Sequence, residues 1–304
     1  MGHDIFFVDS MRNQHTWTPL KAEHIRVDIN SNKKMPDADF IIATGYKSVG
    51  TTVSAPGRCG HKTHWIRAWE HWQMGDDQIV KQVLEAPTLK LVNSICLQDK
   101  LKSYGFESHI IRPGYDLKEI FPTHTRDSKD GITLGGLYRE GVHGQRKRTA
   151  WLFETARFMK TRHRDIQFWL FGSEQSPRRQ LVDNYMRSPS IEEKNIFYNT
   201  VDIWMAPTMS EGLHLPPAEA MMTECPVVAT KASLSGVQDY VIDAETGMLS
   251  DNDLQSFMND VEHLYKHSEC RKRLGEASRK KILEIGNRKK NMQIMIDLFM
   301  EMIS

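Results

Sequence analysis

Cysteine is scarce: Cys59, Cys96, Cys225 and Cys270 are spread over 304 residues with no Cys-x-x-Cys pair. That spacing offers neither a zinc site nor a disulfide framework, and it suits a reducing compartment. No apolar run approaches the roughly 20 residues of a membrane span. The opening residues, Met1 to Asp9, include Asp4 and lack the charged-then-apolar order of a signal peptide. Phe6 stands where a myristoylation motif requires Ser or Thr. The expected location is therefore cytoplasmic. An excess of one charge is missing too: 40 Lys and Arg against 39 Asp and Glu leave a net charge of +1, so no global field holds nucleic acid. Finally, no Gly-x-Gly-x-x-Gly follows an early strand, and Gly45, Gly50, Gly57 and Gly60 have the wrong spacing for one, which argues against an NAD-dependent oxidoreductase.

What is present is an alternation of short apolar segments with longer amphipathic ones, the pattern of β-α-β units that cover a parallel sheet on both faces. The class is α/β, and the length suits two domains. Strands are expected at Ile5 to Val8, Ile25 to Asp28, Asp39 to Thr44, His64 to Ala68, Leu89 to Asn93 and His109 to Arg112, with helices at Asp77 to Glu85 and Ser94 to Tyr104. The polar stretch Pro122 to Asp130 has no periodicity and marks the boundary between a first domain of residues 1–125 and a second of 126–304. In the second, strands are expected at Ile132 to Gly135, Ile166 to Phe171, Ile203 to Ala206 and Pro226 to Ala229. Helices are expected at Lys147 to Lys160, Ile191 to Asn199 and Pro216 to Thr223, and from Leu254 onward.

The most informative segment is Ser210 to Met222, Ser-Glu-Gly-Leu-His-Leu-Pro-Pro-Ala-Glu-Ala-Met-Met, which follows an apolar run. It reads as strand, tight turn, helix. Gly212 permits a close backbone approach, and Pro216 and Pro217 are tolerated only in a first helical turn, which starts the helix near Leu215. A helix start is a seat for an anion. Glu211 and Glu219 flank that seat, and an ionised carboxylate can accept from two neighbouring hydroxyls at once. A ligand with hydroxyls at both ends and phosphate between them, the layout of a nucleoside-diphosphate sugar, fits this arrangement.

These residues resemble the retaining glycosyltransferases of family 4, whose hallmark is Glu, seven residues, Glu. Glu211 and Glu219 match it, as do Ala-Pro-Thr-Met-Ser-Glu-Gly-Leu before and Cys-Pro-Val-Val-Ala-Thr after. The likeness extends to Ser235-Gly236, Asp239-Tyr240-Val241 and Thr246-Gly247, and upstream to Ile111-Arg112-Pro113-Gly114-Tyr115-Asp116. The resemblance implies the GT-B fold, two Rossmann-like domains facing a central cleft. It also implies transfer of a sugar from a nucleotide donor to an acceptor hydroxyl, with retention, without a metal or other cofactor, typically in polysaccharide or glycolipid assembly. By that resemblance Glu211 bonds sugar hydroxyls, the backbone of Gly212, Leu213, His214 and Leu215 meets sugar and phosphate, and Glu219 bonds the ribose. A basic pair on the diphosphate falls on Arg139 and Lys147, Arg for bidentate contact and Lys as a point charge. The loop also holds Arg146 and Arg148.

This sequence departs from the family pattern at His214, where Gly is usual, and in the loop Asp9 to Gln14, which lacks paired glycines. In the first domain, His64 to Trp72 is the candidate acceptor segment: Glu70 or His71 at a strand end could approach an acceptor hydroxyl, and Trp65, Trp69 or Trp72 could stack on a sugar. The expected partners are a nucleotide-sugar donor and a saccharide or lipid-linked acceptor. Basic runs at Arg271 to Arg273 and Arg288 to Lys290 admit a peripheral contact with the inner membrane face. The other readings are a GT-B sugar-nucleotide epimerase and a non-catalytic nucleotide-sugar-binding subunit.

Overall fold

Buried parallel strands carry apolar side chains on both faces, because helices cover both faces of their sheet. The computed structural model describes residues 2–10, 22–27, 35–123, 131–177 and 180–304. The chain divides into two compact units, residues 1–92 with 101–109, and residues 93–100 with 110–304.

The first unit begins with β1 (Phe6–Ser10), paired in parallel with β2 (Glu23–Val27). Next come β3 (Phe40–Ala43), α1 (Tyr46–Ser54), β4 (His61–Ile66), α2 (Asp76–Ile79, continued by a π turn at Val80–Leu84), β5 (Leu89–Val92), α3 (Ile95–Ser103), whose residues 95–100 belong to the second unit, and β6 (His109–Ile110). The sheet order is β3-β4-β5-β6. Helix α1 was not expected, since Gly50 and the β-branched Val49, Thr51, Thr52 and Val53 are weak helix formers. It forms because Val49 and Thr52 are buried beneath it. The loop Asp9 to Gln14 lies beyond the described residues from position 11 on.

The second unit is a six-stranded parallel sheet: β7 (Ile132–Leu137), β8 (Ile166–Gly172), β9 (Asn184–Arg187), β10 (Ile203–Ala206), β12 (Val227–Thr230) and β14 (Met248–Ser250), with the short pair β11 (Ser210–Glu211) and β13 (Leu234–Ser235) beside it. The order β14-β12-β10-β7-β8-β9 is, counted within the unit, 3-2-1-4-5-6 read from the other edge, the dinucleotide-binding order. Its helices are α4 (Gly141–Arg146), α5 (Thr149–Arg162), α6 (Ile191–Thr200), α7 (Leu215–Met222), α8 (Leu254–Lys266), α9 (Ser268–Ile285) and α10 (Arg288–Ile303). One core holds Phe197, Tyr198, Trp204, Met221 and Ile282. The other holds Phe153, Met159, Phe168, Phe257 and Leu274. Every residue of β10 and β12 is buried. In β7 a side chain at Gly135 would come within 2.5 Å of Val201, so α6 and its exit can press against the strand only because that side chain is missing.

Residues 110–123, assigned above to the first domain, pack on the second unit. Arg112 pairs with Asp239 at 2.7 Å, Tyr115 lies in the aromatic core, and the amides of Phe121 and Thr123 donate to Asn195 and Asn199. Three of these groups need polar partners, the Arg112 guanidinium and the two amides, and Asp239 and α6 supply them. The remainder of the expected linker, residues 124–130, lies outside the described residues.

Candidate functional site

In an open sheet of this order, ligands bind beyond the carboxyl ends of the strands, where the winding reverses. Here that point lies between β7 and β10, which are paired neighbours whose chains depart in opposite directions around the sheet. The loop after β7 carries Arg139, Arg146 and Lys147, and the loop after β10 carries Glu211 and leads into α7. The two loops are tied together: the amide of Met209 donates to the carbonyl of Arg146 at 2.9 Å.

Glu211 is the meeting point of the charges. Its carboxylate accepts from Arg146 Nη1 and, at 2.7 Å, from Lys147 Nζ. Arg146 Nη1 also donates to the Ser210 carbonyl at 2.6 Å. Side-chain exposures are 13% for Arg146, 11% for Lys147 and 15% for Glu211, so the cluster is largely screened from water. Burial lowers the pKa of Lys147, opposed by Glu211. Arg139 does not join it, and pairs with Glu174 at 2.7 Å. Of the expected basic pair, Lys147 reaches the site with Arg146 as its companion. Lys147 does not begin α5 as expected. It caps the end of α4, and Arg148 breaks the path between the helices with a left-handed backbone at φ 50° while its guanidinium lies 4.1 Å from the Trp151 ring centre.

Glu219 lies on the second turn of α7. Tyr198 donates to it at 2.7 Å, and Lys194 is 3.8 Å away. Burial and the nearby Glu219 charge raise the Tyr198 pKa well above its usual value, so the phenol stays a donor. Helix α7 starts at Leu215, as read from the prolines, with His214 as its cap in a left-handed conformation, φ 61° and ψ 74°. Pro216 and Pro217 have no N–H, so Leu215 alone supplies an amide among the first three helical positions. Gly212 and Leu213 are buried, and Leu215 is exposed. The turn is clamped from behind, because a Cβ at Gly236 would stand 1.7 Å from the Gly212 carbonyl oxygen.

In the first unit, Glu70 accepts from the amide of Tyr46, the first residue of α1, at 3.1 Å, so it acts as a helix cap. His71 Nδ1 lies 3.0 Å from the Trp69 carbonyl. Trp69 is core, 2% exposed, bonded through Nε1 to Asp76 and stacked on Tyr104, so it offers no free face to a sugar. A cavity of about 120 Å³ beyond β3 and β4 is lined by Tyr46, His64, Arg67 and Glu70. His64, which opens the candidate acceptor segment, sits inside β4 and is buried. Burial and the charges of Lys90 and Arg67 lower its pKa to about 4. The basic run on α9 serves structure in part: Arg271 donates to the carbonyls of Leu264 and Tyr265, and Arg273 to that of Ala244. No helix among the described residues is long and apolar enough to cross a membrane.

Against known proteins, residues 132–267, from β7 through α8, match the family model described as Glycosyl transferases group 1. A capsular polysaccharide biosynthesis glycosyltransferase, CapM of Staphylococcus aureus, is 30% identical over 87 residues, 28% of this chain and 22% of that protein. The match thus spans about a fifth of the curated relative's length. Among solved structures, TarM of S. aureus superposes with a TM-score of 0.72 at 17% identity over 89% of this chain and 57% of its own. Anabaena HepE, solved in complex with UDP-glucose, superposes with a TM-score of 0.72 at 14% identity over 86% of this chain and 78% of its own. The chain therefore has the GT-B fold of Rossmann-like α/β domains, and its second unit carries the segment that matches the group 1 glycosyl transferases.

Proposed function

We propose that this chain is a glycosyltransferase that moves a sugar from a nucleoside-diphosphate sugar to an acceptor hydroxyl, with retention and without a metal, in the assembly of a surface polysaccharide or glycolipid. The observation that carries this reading is the layout around the start of α7: Glu211 with two cations on one side, and Glu219 held by Tyr198 on the other. A diphosphate replaces Glu211 as the partner of Arg146 and Lys147, which then stabilise the charge that grows on the leaving nucleotide. Glu211, released, accepts from sugar hydroxyls, and Glu219 accepts from the ribose diol. We assign the acceptor to the first unit, with Glu70 and His71 as its candidate contacts, and a hexose as the transferred group. The match to a capsular glycosyltransferase supports sugar transfer in polysaccharide assembly, and the likeness to TarM and HepE supports the GT-B fold that carries it.

The test is a thermal-shift panel of UDP, GDP, TDP, ADP, CMP and NAD on the wild type and on Glu219→Ala. One nucleoside diphosphate stabilises the wild type and loses its effect in the variant. If none stabilises the wild type, or the shift survives in Glu219→Ala, the donor-site assignment fails. Product analysis with that nucleotide's sugars then separates transfer from epimerisation.

A further inference from the structure

His214 is the only non-glycine residue of the Glu211-to-Leu215 turn with a positive φ. Such a conformation costs a side chain on the order of 1 kcal/mol that glycine avoids, so this position would favour glycine if the backbone were all that mattered. The imidazole is nevertheless buried, at 5% exposure. Its Nδ1 has no hydrogen-bond partner, while Nε2 lies 3.5 Å from Thr208 Oγ1. The backbone is locked in place, since Tyr240 donates its hydroxyl to the His214 carbonyl at 2.5 Å. A strained, immobilised side chain with an unmet polar atom is a poor structural filler, because burying such an atom without a partner is itself unfavourable.

We propose that His214 is a specificity-determining residue of the donor site, whose Nδ1–H donates to a hydroxyl oxygen of the transferred sugar. The inference rests on the donor-site reading above and adds to it the role of this side chain. This role takes the Thr208 hydroxyl as the donor to Nε2, 3.5 Å away, which places the ring proton on Nδ1. The ring is uncharged, because burial and the nearby Lys147 and Arg146 hold its pKa well below the usual value. Glu211, on the other side of the turn, is already matched to those two cations. An uncharged donor suits a neutral hydroxyl, whereas phosphate oxygens are served by the cations.

The test compares His214→Gly, which removes the donor and relieves the backbone, with His214→Asn, whose amide nitrogen falls near the place of Nδ1 and whose backbone accepts the left-handed region. Dissociation constants are measured by calorimetry for UDP and GDP and for UDP-glucose, UDP-N-acetylglucosamine and GDP-mannose, and the sugar's contribution is the ratio of a nucleotide's constant to that of its sugar. For the donor the wild type prefers, the ratio falls about tenfold in His214→Gly and stays within about threefold of wild type in His214→Asn, with the nucleoside diphosphate alone bound equally by all three. Equal ratios in wild type and His214→Gly overturn the inference, as does an equal loss in both variants. A loss that appears with the nucleoside diphosphate alone overturns it as well, by moving the contact to phosphate. If the wild type binds neither these ligands nor any other nucleotide of the thermal-shift panel, the donor-site reading falls first and this inference with it.

Discussion

The pairing of Glu211 with Arg146 and Lys147 makes an unusual prediction: neutralising this carboxylate tightens the binding of a bare diphosphate. In the unliganded protein the carboxylate stands where the diphosphate's charge is expected, and the three side chains are 11–15% exposed. A hydrogen bond to a charged group is worth about 1.5–3 kcal/mol, and breaking a buried pair costs about 3–5 kcal/mol because a charge is left without a partner. Glu211→Gln keeps the shape and removes the charge, so the free protein loses about 3 kcal/mol, seen as a lower melting temperature. Any anion seated on the two cations recovers part of it. Recovery of about half, near 1.4 kcal/mol, is a tenfold lower dissociation constant. Calorimetry with inorganic pyrophosphate, on wild type and Glu211→Gln, reads this directly. Sugar transfer by the same variant falls, since the amide keeps one acceptor oxygen where the carboxylate offers two. Pyrophosphate binding that is unchanged or weaker in Glu211→Gln refutes the exchange of partners.

Three further outcomes are expected. Gly236→Ala places a methyl group 1.7 Å from the Gly212 carbonyl oxygen, so the Glu211 turn must shift. Nucleoside-diphosphate affinity drops at least tenfold, about 1.4 kcal/mol, in a protein whose circular dichroism is unchanged. Tyr198→Phe removes the hydroxyl that orients Glu219 and weakens nucleotide binding about fivefold, roughly 1 kcal/mol; an unaltered dissociation constant would show that Glu219 needs no such support. His64 carries a pKa lowered from 6.5 to about 4. The unfolded chain therefore binds the extra proton between those values, and the stability this group contributes is complete above pH 6.5 and declines as pH falls through 4. The full effect is about 3 kcal/mol. Acid unfolding monitored from pH 7 to 4 shows a shallower loss in His64→Gln than in wild type.

Much of this was legible where local chemistry and tertiary packing agree. The start of α7 at Leu215 followed from two prolines that fit nowhere else in a helix, and β10 and β12 followed from unbroken apolar runs. Strand β9, Asn-Tyr-Met-Arg, escaped notice because an edge strand with one partner has no need of an apolar run. Helix α1 was missed for the opposite reason, since packing overrode propensity. Within the site, the spacing of Glu211 and Glu219 was visible, as was the need for cations. Which of four clustered basic residues stands beside Glu211 was not, because Arg139 and Arg146 differ only in what the fold places opposite them, Glu174 for one and Glu211 for the other.

The division of the chain has a consequence for engineering. The second unit is discontinuous, since residues 93–100 belong to it although they precede residues 101–109 of the first. The amide of Ile95, at the start of α3, donates to Asp239 at 3.1 Å, and Asp239 is only 3% exposed and also holds Arg112. A fragment cut at residue 110 would leave that carboxylate short of a donor and expose the ground on which the Gly236 turn rests. A chimera that exchanges the first unit between relatives should therefore carry residues 93–100 with the second, which requires three crossovers in the gene, at 92/93, 100/101 and 109/110, rather than one.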